Sequence, residues 1–310
     1  MKRTGHWSGL SLNVAEPAVP PLRMETADGR RMVLRQGADP VLFAVQRVTH
    51  RGVHYARTGR YTSPLPQLRA VRARTLREAC PDDSAWSARW AQHFAGRLDA
   101  SVNGPLHEGD WRLVQGMPKW AVDRHWPKLL DFDPDRGHLT WFGYGDPDED
   151  ARDVLPLRAL SDPDSARVKA FRRQYREGVL PPVLLWWLSG LNSLVVLDGH
   201  NRLVAALAEG GRPSVVILAR APSDAWVEWA AGPRMVEYEK RTAHYERQRA
   251  EGDALAGVRI AGESRRFADD LRSLGTAPDL TRAWPLRGGA RAWLREAADH
   301  VPGWSPDAER

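Results

Sequence analysis

The consecutive residues Asp198-Gly199-His200-Asn201-Arg202 bring together a carboxylate, an unhindered turn position, an imidazole, a carboxamide and a guanidinium. They follow the apolar run Leu194-Val195-Val196-Leu197 and lead into Leu203-Val204-Ala205-Ala206-Leu207. This pattern reads as a buried strand that delivers Asp198 to its tip, a tight turn at Gly199, and a helix. The first amides of a helix lack backbone partners and carry partial positive charge, so a phosphate gains most at such a turn. Arg202 in the first helical turn can add a bidentate contact to the same anion, and His200 can donate to its oxygens. Asp198 at the strand's end can also serve as a simple N-terminal cap.

The elements that must position these residues are legible around them. Val154 to Leu157 reads as a short strand and Ser165 to Glu177 as a helix closed by Gly178. Pro182 to Leu188 reads as a buried strand, Gly190-Leu191-Asn192 as a turn, and Asn201 to Glu209 as a helix stopped by Gly210-Gly211. A last strand covers Ser214 to Leu218. The order is strand, helix, strand, turn, strand, helix, strand. Trp186 and Trp187 lie on the strand before the motif, where core packing competes with a role in walling a pocket.

Over roughly residues 153–220 these pieces resemble the ParB/sulfiredoxin superfamily. The matching segments are Leu155-Pro156-Leu157 with Leu160, the helix from Ser165, Leu180-Pro181-Pro182-Val183, the Asp198-to-Arg202 motif, and Gly210 to Ile217. The partitioning branch carries Gly-Glu-Arg-Arg, and this chain has His200 and Asn201 where that branch has Glu and Arg. Sulfiredoxins carry Gly-Cys-His-Arg; with His200 at the position of the nucleophilic cysteine, sulfinic-acid repair is excluded. Free-serine kinases carry Asp-Gly-His-His-Arg, which agrees at every position except Asn201. That branch also uses an acidic residue just before the first helix as a catalytic carboxylate. The matching position is Asp164, which can also cap the helix.

The resemblance implies phosphoryl transfer from ATP or ADP, with Mg²⁺, to the hydroxyl of a small molecule such as serine. Gly199, His200, Asn201 and Arg202 would hold the phosphates. Asp198 would orient the acceptor or the metal, and Asp164 would take the hydroxyl proton. The alternative is a non-catalytic nucleotide-sensing or DNA-binding regulator of the partitioning type, for which CTP is the expected nucleotide.

The expected fold class is α/β in the α+β sense. A mixed α+β region of unassigned role covers 1–150, a ParB/sulfiredoxin-like domain 151–222, and a mostly helical extension 223–310. The acidic stretch Asp146-Pro147-Asp148-Glu149-Asp150 marks the first boundary, and it lacks the glycine and terminal glutamate of a calcium loop. Residues 1–30 look like a loosely ordered lead-in, with strands at Arg31–Leu34 and Val41–Val48 and helices at Gln67–Ala79 and Ser84–Leu98. Trp86, Trp90 and Phe94 recur on one helical face, as a buried stripe would. Beyond 222, helices are expected at Ser223–Ala231, Arg234–Glu251 and Glu263–Leu274, with a frayed tail after Pro302.

The chain carries a net charge of +6, and residues 1–80 hold fourteen basic against five acidic side chains. That third could meet nucleic acid, or it could be an arginine-rich solvated surface. There is no apolar run of membrane-spanning length and no signal-like apolar stretch after the N-terminus, so a cytoplasmic location is expected. His50 and His54 fall on strand and turn, a poor spacing for a metal pair. The single cysteine, Cys80, rules out a disulfide framework and is expected to be a small buried residue.

Overall fold

The computed structural model describes residues 9–47, 52–80, 82–115, 128–131, 133–140, 154–276 and 279–305. The acidic stretch 146–150 and His50 lie outside the described residues. Two compact units are formed, Met1–Ala219 with Leu280–Arg310, and Arg220–Asp279. The class is α+β, as expected.

In the first unit the strands are β1 (Leu10–Val14), β2 (Leu22–Thr26), β3 (Arg31–Gln36), β4 (Asp39–Gln46), β5 (Gly52–Arg57), β6 (Gly109–Gln115), β7 (Arg136–Thr140), β8 (Val154–Pro156), β9 (Val183–Leu188), β10 (Ser193–Asp198), β11 (Val215–Arg220) and β12 (Ala283–Pro285). Its helices are α1 (Ala70–Ala79), α2 (Asp83–Asp99), α3 (Lys128–Asp131), α4 (Ala166–Arg176) and α5 (His200–Ala208). The second unit is the pair α6 (Asp224–Ala250) and α7 (Ala256–Thr276), and α8 (Gly289–His300) belongs to the first.

Among the described residues the strands form two sheets, ordered β1-β6-β11-β9-β10-β8 and β12-β2-β3-β4-β5-β7. The expected boundary near 150 is therefore crossed: β1 and β6 lie beside β11 in the same sheet as β8, β9 and β10. The supposed lead-in supplies β1 and β2, because Leu10 and Leu12 pack on the core and Leu22 and Met24 are buried in it. The 223–310 extension also divides. Its last part returns as β12, parallel to β2, and as α8, whose Trp293 packs on Phe43 of β4. Trp304 packs on Trp293, so order extends beyond Pro302.

Period-two alternation explains the apolar strands. On β9, Leu184, Trp186 and Leu188 face the largest core, which residues of both sheets share with α2, while Val183, Leu185 and Trp187 face a second core with Leu203 and Leu207 of α5. Both tryptophans are core residues. The stripe Trp86, Trp90 and Phe94 is buried on α2, and Asp82 caps that helix by accepting from the Ala85 amide at 2.8 Å. Cys80 is buried. On the second unit, α6 runs continuously through Pro233, where two helices were expected. A helix-interior proline removes one amide donor and crowds the carbonyl four residues back, a cost that this long helix bears without ending. Among the described residues no helix is long and apolar enough to cross a membrane.

Candidate functional site

Asp198 ends β10, and Gly199 follows with φ of +99°, a conformation glycine adopts without penalty. The turn also needs glycine for space: a Cβ at 199 would lie 2.7 Å from Nη2 of Arg202. Helix α5 starts at His200, and its first backbone bond runs from the Leu203 amide to the Gly199 carbonyl at 2.8 Å. No side chain caps it, so Asp198 is not the cap. The amides of residues 200–202 form the positively polarised helix start expected of a phosphate site, with His200, Asn201 and Arg202 themselves buried.

The side chains depart from expectation. Arg202 is buried; its Nη2 donates to Oδ2 of Asp198 at 2.8 Å and to the Pro182 carbonyl at 3.0 Å. The guanidinium thus bonds within the chain, where the sequence led us to expect it turned toward a phosphate. The guanidinium lies against the Gly199 backbone and holds Asp198 in place. The other oxygen of Asp198 accepts from Ser63 Oγ at 2.7 Å. Next to Ser63, the buried Tyr61 hydroxyl donates to the Leu197 carbonyl, and its ring centroid lies 5.9 Å from that of His200. Burial, reinforced by the negative charge of Asp198, raises the Tyr61 phenol well above its usual range. Ser63 and Tyr61 lie far outside the motif, and no local pattern links them to it.

His200 is buried and its Nε2 has no hydrogen-bond partner. Burial first, then the charges of Arg158, Arg57 and Arg202, push its pKa well below the usual 6.5. Burial above all keeps the imidazole neutral; of the three arginines, Arg57 and Arg202 are themselves paired with Asp133 and Asp198. Asn201 accepts from Ser161 Oγ at 2.9 Å, tying the segment that follows β8 to the start of α5. Arg57, at the end of β5, is fully buried and donates to Asp133 at 2.9 Å and to the Pro156 carbonyl at 3.2 Å. It anchors the strand from which Arg158 emerges. Arg158 is exposed, and its charge is felt by both His200 and Tyr61. It is the cation at this site that the sequence reading missed; the only hint was its place directly after Leu155-Pro156-Leu157.

Asp164 is exposed, with its carboxylate 3.5 Å from Lys169 and 3.7 Å from Arg172 of α4. The N-cap of α4 is Ser165, so Asp164 is not that cap either. No described contact joins Asp164 to Asp198.

The site suits an anion better than a cation. An uncapped helix start, an unpartnered buried imidazole nitrogen and the exposed guanidinium of Arg158 fit phosphate oxygens. Asp198 does not fit Mg²⁺ in this arrangement, because Ser63 and Arg202 engage both of its oxygens and a metal would have to displace the arginine. Among the described residues no group of three or more potential metal-ligating side chains exists. Comparisons with known protein families, with curated proteins and with solved structures find no match to this chain.

The buried histidine predicts a pH dependence. The unfolded chain protonates histidine near 6.5, whereas folded His200 resists protonation. Below that pH the unfolded state binds a proton the folded state does not, so stability falls as pH drops. The slope is at most about 1.4 kcal/mol per pH unit from this residue. His93, also lowered by burial first, contributes with the same sign. Urea midpoints at pH 7 and 5 for wild type and His200→Gln separate the two, and the variant should lose the larger part of the slope. Superimposed profiles would contradict a buried neutral imidazole.

Proposed function

We propose that this protein binds the phosphates of ATP or ADP at the turn Asp198-Gly199 and the start of α5, and transfers a phosphoryl group to a small hydroxyl-bearing molecule. The observation that carries the binding half is the uncapped start of α5, positively polarised by its backbone, with the unpartnered His200 Nε2 beside it. In this reading the amides of 200–202 hold phosphate oxygens, Arg158 closes over them from solvent, and the Asp198–Arg202 pair keeps the turn rigid. The motif likeness to free-serine kinases supports transfer to a hydroxyl such as that of serine. The acceptor oxygen would attack the terminal phosphorus, the nucleotide would leave with the bridging oxygen, and the exposed Asp164 carboxylate would take the hydroxyl proton.

A second reading, nucleotide sensing without transfer, is favoured by a specific observation: Asp198 is committed to Ser63 and Arg202, and Asp164 to the cations Lys169 and Arg172 of α4. A DNA-binding role for the first 80 residues has less support. Several of their arginines are already in ion pairs, among them Arg35 with Glu25, Arg60 with Asp39, Arg74 with Glu177 and Arg77 with Asp83.

Turnover separates the two. Offered ATP or ADP and a panel of hydroxy amino acids, a kinase consumes nucleotide and Asp164→Ala stops it; a sensor binds nucleotide with no acceptor-dependent consumption. Arg158→Ala should weaken nucleotide binding at least about tenfold, the value of one charge-assisted contact, and leave the unfolding midpoint unchanged. Unaltered affinity would remove Arg158 from the site.

A further inference from the structure

The two-helix unit 220–279 is short of core. Among its described residues the buried apolar side chains are Ala221, Ala230, Ala256 and Leu274. Against these few, Trp229 and Val236 are 74% and 65% exposed and one heptad apart on the same face of α6. Between α6 and α7 lies a groove of about 600 Å³. Its floor is Tyr238 and Phe267, stacked at 4.5 Å and 10° from parallel, and its walls include Trp226, Trp229 and Leu274. One patch thus carries both a projecting indole and a hollow large enough to take one.

We propose that this hairpin pairs with the same hairpin of a second copy of the chain, Trp229 of each copy seating in the groove of the other. A two-fold interface requires a single patch to hold both the knob and its socket, and this one does. The charges point the same way. Arg234, Arg241 and Arg266 border the groove together with Glu237, Glu263 and Asp270, a balanced set that can meet its own image. Over 220–279 the chain has ten basic and eleven acidic residues, so a polyanion such as nucleic acid or an acidic membrane gains nothing there. Helices of 27 and 21 residues are about 40 and 30 Å long, enough to supply the about 800 Å² per partner of a stable interface. Two antiparallel pairs joined this way give a four-helix arrangement with an interior that the single hairpin lacks.

The test is the mass of the full chain in solution by sedimentation from about 1 to 100 μM, a range bracketing micromolar self-association. Wild type should be a dimer that dissociates on dilution. Trp229→Glu with Val236→Glu should be a monomer throughout, a shift in dissociation constant of at least about 100-fold. Amide exchange guards against a variant that merely unravels: in wild type, protection over 224–241 and 263–274 should rise with concentration. A monomeric wild type at all concentrations overturns the proposal. So does a dimer that survives both substitutions, or exchange in these helices that does not depend on concentration.

Discussion

Replacing Arg57 with alanine is expected to destabilise the protein by about 3–5 kcal/mol, the usual cost of breaking a buried ion pair. Its side chain is fully buried and makes two contacts to the Asp133 carboxylate, at 2.9 and 3.0 Å, and another to the Asp133 carbonyl at 2.9 Å. Removing it strips both guanidinium contacts from the Asp133 carboxylate, to which the Leu160 amide also donates, and a desolvated carboxylate that loses its cation is costly. Arg57→Met with Asp133→Leu should recover part of the loss, because no buried charge is left without its counter-charge, while the Leu160 amide and the Pro156 carbonyl each lose a partner. Urea unfolding measures both. A loss under about 1 kcal/mol for Arg57→Ala would place the pair in the class of weak surface bridges and contradict its burial. Function should follow stability here: without the contact to the Pro156 carbonyl, the segment carrying Arg158 and Ser161 is held less firmly.

The other large effect is expected at Asp198. Its substitution by alanine leaves Arg202, whose side chain is only 4% exposed, as a buried cation with the Pro182 carbonyl alone. The expected loss is about 3 kcal/mol. Asp198→Ala with Arg202→Met should restore stability without restoring nucleotide binding, since two apolar side chains leave no charge unpaired but no longer hold the Gly199 turn rigid. Were Asp198→Ala as stable as wild type, the pair would not be what holds the turn. Were the double variant to bind nucleotide at full strength, the pair would have no part in the site.

How far the sequence was legible depends on the distance over which each feature is encoded. The order of elements from β8 to β11, the turn at Gly199 and the stop at Gly210-Gly211 are local signals, and the structure agrees with them. The close approach at Gly211, where a Cβ would lie 1.7 Å from the Tyr175 hydroxyl oxygen, gives that glycine a packing reason as well. The partners of the site are another matter. Ser63 reaches Asp198 across 135 residues and Tyr61 reaches Leu197 across 136, and neither contact has a periodicity to announce it. Arg202 illustrates the limit at short range. An arginine one turn from a carboxylate can face an incoming anion or its own neighbour, and spacing alone does not choose. Burial chose the neighbour. The extent of the sheet was hidden for a related reason: β1 and β6 pair with each other and join β11 through contacts that a window of ten residues cannot see.

The claim that α5 receives phosphate with its first amides can be put to a residue-resolved test. In an amide-resolved NMR titration with ADP, the backbone signals of His200, Asn201 and Arg202 should move together and saturate, and Arg158→Ala should shift the curve to higher concentration. If those three signals stay fixed while ADP binds elsewhere or not at all, nucleotide recognition at this turn is wrong.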